Sequence, residues 1–260
     1  IRNANFILHL PETSVNDQAE NNSAPLNAQA IKSVLTAFAD KEGYSYKLQI
    51  DDNMIAKALV AGSTIKINSN AKMSQVDAMA LAHHELGVHL LTTLNGRSQP
   101  LRILSLGSPV NTMTQEGLAT FSEHQAGFMT IKRLKILALR VLAVESLIKD
   151  KSFRSTFMLL KEGYQLDDES AFTITARVFR GGGLTKDYLY LRGFQRILNA
   201  RETAEDFNNL LIGKASLDHL PMITRLISKG ILMPPEIITP SFAHPVKSND
   251  IDNFIAHAIK

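Results

Sequence analysis

The segment His84-Glu85-Leu86-Gly87-Val88-His89 offers two imidazoles and, directly after the first, a carboxylate. Further along, Gln115-Glu116-Gly117-Leu118-Ala119 offers a second carboxylate. Two imidazoles and one carboxylate suffice to hold a zinc ion with its fourth position open to water. A carboxylate beside the first histidine is then where a general base belongs. The chemistry these residue types suggest is hydrolysis of a peptide bond by a zinc-activated water, with His84, His89 and Glu116 as metal ligands and Glu85 as catalytic base.

The spacing sets a geometric condition. Histidines four apart on an α-helix lie on one face, but His84 and His89 are five apart, which turns them about 140° from one another and raises one about 7.5 Å above the other. A regular helix would make the imidazoles diverge. The spacing therefore predicts a π-like turn around Leu86 to His89, where Gly87 makes a widened turn or a close packing partner easiest to accommodate. His83 competes with His84 for the first ligand position; His84 is preferred because Glu85 follows it, and His83 is expected to face the other way. Glu116 is ranked ahead of Glu123 as third ligand. Glu123, two turns later, is the second candidate, either as the ligand itself or as an acceptor for a histidine N–H. His124 reads as an ordinary histidine.

The elements that must position these groups are legible in part. Phe6-Ile7-Leu8 reads as an N-terminal strand, followed by a polar loop centred on Asn21-Asn22-Ser23-Ala24-Pro25, so that residues 1–27 stand apart from a single catalytic domain over 28–260. Ile31, Val34, Leu35 and Phe38 recur with helical period over 28–40, and Gly43 stops that helix. Tyr46 to Ile50 and Thr64 to Asn68 alternate as half-buried strands. Ser74 and Asp77 resemble a capping box opening the histidine helix, which runs towards Gly96. Thr114 is expected to cap a helix beginning at Gln115, which puts Glu116 in a first turn. Gly117 is expected to let the two motif helices approach closely. The rest reads as helices broken at Gly163, Gly181-Gly182-Gly183, Gly213, Gly230 and Pro234-Pro235. Strands first and helices afterwards predict an α+β fold, a small N-terminal sheet packed on a predominantly helical, zinc-metallopeptidase-like domain.

Composition narrows the alternatives. The chain has 260 residues, 45% of them hydrophobic, enough for a substantial core. It has no cysteine, so any metal must sit on nitrogen and oxygen, and disulfides and thiol nucleophiles are excluded. The absence of cysteine fits a cytoplasmic location. A net charge of +3, with scattered basic residues, argues against nucleic acid as a partner, and no apolar run approaches the ~20 residues of a membrane span. The opening Ile1-Arg2 suggests a fragment or a trimmed chain. Oligomeric state cannot be read.

His84-Glu85 with His89, and Gln115 to Ala119 downstream, together resemble the bacterial QEGLA-motif proteins, often described as flavohemoglobin expression-modulating. The arrangement is also similar to that of the related microtubule-associated tyrosine carboxypeptidases, zinc enzymes that remove a C-terminal tyrosine from tubulin. Arg177-Val178-Phe179-Arg180-Gly181-Gly182, Thr185-Lys186-Asp187 and Tyr190-Leu191-Arg192-Gly193 look like a further segment of the family, so the resemblance extends from about Ile31 onward. It implies His84, His89 and Glu116 as zinc ligands, Glu85 as base, and a peptide or protein C-terminus as substrate, without transferring tubulin. A carboxypeptidase needs a donor for the developing oxyanion, for which Tyr188 and Tyr190 are candidates. It also needs a partner for the terminal carboxylate, for which Arg177 and Arg180, one turn apart, and Lys186 are candidates. The competing readings are a non-catalytic metal-binding regulatory protein and a helical interaction protein.

Overall fold

A computed structural model describes residues 1–11, 24–54, 56–180, 186–247 and 259. The fold is α+β, largely helical, with one small sheet. Helix α1 (Arg2–Leu8) takes the place of the expected N-terminal strand. A short apolar run does not distinguish strand from helix by itself. Here Ala4 and Ile7, three apart, are the buried pair, and they dock on α6 (Ile131–Asp150) while Phe6 points outward. The core of the expected polar loop lies outside the described residues. Helix α2 (Ala28–Lys41) begins at Asn27, whose side chain accepts from Ala30 N at 2.9 Å, and buries Ile31, Leu35 and Phe38 along one face.

The sheet has the order β1-β3-β2, with β1 (Lys47–Asp51) parallel to β3 (Thr64–Asn68) and β2 (Ala58–Ala61) antiparallel to it. Ile65 and Ile67 of β3 are fully buried, as strand alternation requires when one face meets the core. Strand β2 was not expected from the sequence. Its signal is the two-residue turn Gly62-Ser63, where Gly62 takes φ 64°, a value glycine adopts without strain.

The histidine helix is continuous from α3 (Gln75–Leu81) through a π-helical segment (Ala82–Leu90) into α4 (Leu91–Ser98). Ser74 caps it, its side chain accepting from Asp77 N at 3.0 Å. Helix α5 (Pro109–Gln125) carries the second motif. It begins six residues before the expected Gln115, because Pro109 supplies a preset φ and no N–H to satisfy at the first helical position. Thr114 is therefore interior and accepts from Leu217 N at 2.8 Å instead of capping. Helix α5 packs between the π segment and α9 (Leu189–Thr203). The remaining elements are α7 (Phe153–Met158) with a π turn (Leu159–Gly163), α8 (Asp168–Phe179), 3-10 turns at Arg102–Ser105, Phe207–Ile212 and Leu217–His219, α10 (Leu220–Ser228) and α11 (Pro240–Ala243). Among the described residues no helix is long and apolar enough to cross a membrane.

Candidate metal centre

The π segment resolves the spacing problem. The N–H of Leu91 bonds back to Leu86 O, five residues earlier, so each turn takes in about one residue more than an α-turn and His84 and His89 return to one face. Their rings meet edge to face with centroids 5.0 Å apart. Gly87 is required by packing, since a Cβ there would stand 2.9 Å from Thr239 Oγ1. His83 faces away, between the rings of Phe38 (4.9 Å) and Phe128 (5.6 Å). Burial pushes its pKa down to about 4, outweighing the opposing pull of Glu123, so it is neutral.

Glu116 comes from the interior of α5, not from a first turn, so a helix-terminus role does not account for it. Its Oε2 lies 3.4 Å from His84 Nε2 and 3.6 Å from His89 Nε2. Those gaps are short enough for attraction but too long for hydrogen bonds, and this buried oxygen has no hydrogen-bond partner. One donor atom from each of His84, His89 and Glu116 falls within 4.8 Å of the others. Gly117 serves a different approach from the expected one. It faces α9, where a Cβ would stand 2.6 Å from Gly193 O, so the glycine pair sets the spacing of α5 and α9.

Glu123 is the acceptor for the first histidine. Its Oε1 is 2.6 Å from His84 Nδ1, and since an ionised carboxylate only accepts, Nδ1 carries the hydrogen and Nε2 is turned towards Glu116. Arg133, which sequence reasoning missed, grips both oxygens of Glu123 at 3.0 and 3.1 Å. Burial disfavours charge throughout this group, but the partners prevail. Glu116 and Glu123 hold His84 up to about 10, while His84 and His89 hold Glu116 well below the usual carboxylate range. Glu85 is buried beside them and accepts no hydrogen bond among the described residues.

A second missed residue is Lys214, whose Nζ donates to His89 O (2.7 Å), Thr92 Oγ1 (3.0 Å) and Gln115 Oε1 (3.3 Å). It ties the end of the π segment to α5. Burial lowers its pKa to about 8 against the opposing pull of Glu85 and Glu116. A lysine after Gly213 reads as solvated loop; in the fold its backbone is held by Lys214 N donating to Leu104 O at 2.6 Å and by the Asn111 side chain donating to Lys214 O.

The remaining candidates divide. Tyr190 lies over His84, with ring centroids 6.3 Å apart and planes 23° apart. Arg177 donates from Nε to Asp187 and from Nη2 to the Tyr190 hydroxyl at 3.1 Å. Arg180 and Lys186 are exposed, and Tyr188 is half-buried at the start of α9; none of the three has a hydrogen bond, ion pair or ring contact to the cluster among the described residues. Gly181 to Thr185 lie outside the described residues. Arg140, also missed, sits with its guanidinium carbon 5.5 Å from the centre of the Tyr190 ring.

The molecule is thus an α+β protein, mostly helical, with a cluster of two histidines and a glutamate, buried but for the half-buried His89, between a π-helical segment and the helix packed on it. The chain belongs to the family described as microtubule-associated tyrosine carboxypeptidase, whose profile matches residues 1–260. It is 30% identical over 212 residues to microtubule-associated tyrosine carboxypeptidase 1 of Homo sapiens, covering 73% of this chain and 44% of that protein. The Rattus norvegicus protein of the same name is 27% identical over 230 residues, covering 81% and 48%. The chain spans about half the length of the curated relatives it matches.

Proposed function

We propose that this chain is a zinc-dependent peptidase of the carboxypeptidase type, acting on a peptide or protein C-terminus. The observation that carries the reading is the donor set. Ligand atoms about 2.0 Å from a tetrahedral ion are about 3.3 Å apart, and Glu116 Oε2 stands 3.4 and 3.6 Å from the two imidazole nitrogens while bonding to neither. A buried oxygen left without a hydrogen bond between two nitrogens fits a cation better than it fits a polar core. His84, His89 and Glu116 would hold the zinc, and zinc bound there would supply Lewis-acid activation of the scissile carbonyl and of water.

The chain's own groups account for the rest. Glu123 fixes the His84 tautomer and keeps Nε2 turned inward. Lys214 holds the His89 carbonyl and so the end of the widened turn. Glu85 takes the proton of the attacking water and returns it to the departing amine. The relatives are named for tyrosine and for microtubules; the reading for this chain is the reaction class alone.

Elemental analysis of protein purified without added metal should find close to one zinc per chain, lost in His89→Ala. Glu85→Gln should keep the zinc and lose roughly 10²- to 10⁴-fold in kcat on a panel of short peptides. If Glu85→Gln and the parent behave alike on every peptide, the site binds metal without turnover, and the regulatory reading replaces this one.

A further inference from the structure

The geometry points to Arg140 as the residue that receives the terminal carboxylate of the peptide, an assignment that rests on the carboxypeptidase reading above. Three arginines converge on Tyr190. Arg133 and Arg140, seven residues apart, share one face of α6, and Arg177 reaches in from α8. Two of them are occupied: Arg133 by both oxygens of Glu123, and Arg177 by Asp187 and the Tyr190 hydroxyl. Arg140 has no carboxylate partner among the described residues, and its Nε is buried with nothing to donate to.

An arginine keeps its charge, so a half-buried guanidinium whose Nε–H is buried without an acceptor costs stability until an anion meets it. Burial, with Arg177 and Arg133 adding like charge nearby, makes this position the least hospitable to a cation in the group and lowers the Arg140 pKa to about 9. A planar carboxylate is the anion a free guanidinium fork matches. The reach is also suitable. In a C-terminal residue the carboxylate carbon lies about 4 Å from the scissile carbonyl carbon, and a guanidinium–carboxylate pair adds about 4 Å more between carbons. The successive gaps from the His84 ring to the Tyr190 ring and on to the Arg140 guanidinium are 6.3 and 5.5 Å, of the same order. The Tyr190 ring is the neighbour common to both groups. Arg177, with its fork engaged, supplies background charge, and exposed Arg180 and Lys186 are not needed for the contact.

The test is binding, read by fluorescence anisotropy on zinc-loaded Glu85→Gln protein, with labelled tetra-alanine peptides extended by each of the twenty amino acids, as free acids and as amides. At least one free acid should bind roughly 10- to 100-fold more tightly than its amide. Adding Arg140→Gln should bring that ratio close to one with zinc content unchanged. Arg140→Lys should reduce it at least threefold, and it decides the matter if Arg140→Gln does not fold. A ratio equal to that of the Arg140 protein in the folded variants overturns the assignment while leaving the carboxypeptidase reading intact. No preference for any free acid in the Arg140 protein overturns both.

Discussion

At the scale of single residues, the ionic relay behind the cluster decides how well the first histidine is held. Burial alone would raise the Glu123 pKa, but Arg133 and His84 hold it down to about 2, and the side chain is only 1% exposed. Glu123→Gln would keep the shape and the acceptor for His84 Nδ1 while leaving Arg133 without its counter-ion. Stripping one partner from a buried pair costs roughly 3 kcal/mol, and replacing the charged acceptor behind a metal ligand with a neutral one costs about 10- to 100-fold in affinity. Glu123→Gln should therefore lower stability in urea titrations and lose zinc to a competing chelator at correspondingly lower chelator concentration. The sign of the pH dependence follows from the depressed value. The contribution of ionised Glu123 is complete above the ordinary glutamate pKa near 4.5 and is lost as pH falls towards 2. Parent and variant should thus converge in stability on acidification, and a gap that stays constant between pH 5 and 2 would contradict the pairing.

At the scale of elements, the π segment and the α5–α9 contact divide the site between what the sequence discloses and what it hides. The five-residue spacing of His84 and His89 disclosed the π turn, because a shared ion and a regular helix are geometrically incompatible. Thr114 is expected to cap the second motif helix, and Pro109 is passed over; a capping threonine and a proline at a first helical position both mark a helix start, and only the tertiary partner at Leu217 distinguishes them. Periodicity could not show that Gly117 meets Gly193, a contact across 76 positions whose evidence is a missing side chain on each helix. Lys214, Arg133 and Arg140 were hidden for the same reason: a charged residue on an amphipathic pattern reads as solvated until a distant element covers it. The glycine contact also makes a prediction. In Gly117→Ala the added Cβ would meet backbone, which cannot rotate away, so α5 must shift from α9 and carry Glu116 with it. Zinc content should fall together with a loss of about 1–3 kcal/mol in stability. Full zinc occupancy in a destabilised Gly117→Ala protein would show that Glu116 is positioned independently of that contact.

At the scale of the whole molecule, the cluster joins elements from well-separated parts of the chain, and its residues are surrounded by the main core, which includes Leu86, Val88, Leu118 and Ala119. A cation bound between the π segment and α5 therefore stabilises the folded state as a unit, because the unfolded chain does not present two imidazoles and a carboxylate at these separations. Without the ion, part of the gain is already present as the attraction between protonated His84 and ionised Glu116, so the increment on binding is the excess over that pair. Free zinc at a thousand times its dissociation constant contributes about 4 kcal/mol, and for a chain of this size each kcal/mol moves the melting temperature by about 2–4 °C. Removing zinc with a chelator should lower the melting temperature by up to about 16 °C at neutral pH, and readdition should restore it. The shift should disappear in His89→Ala and persist in Glu85→Gln, since on the proposed reading the first removes a ligand and the second only the base. An equal chelator effect in all three proteins would mean that the stabilising ion sits elsewhere, and the assignment of His84, His89 and Glu116 would fail with it.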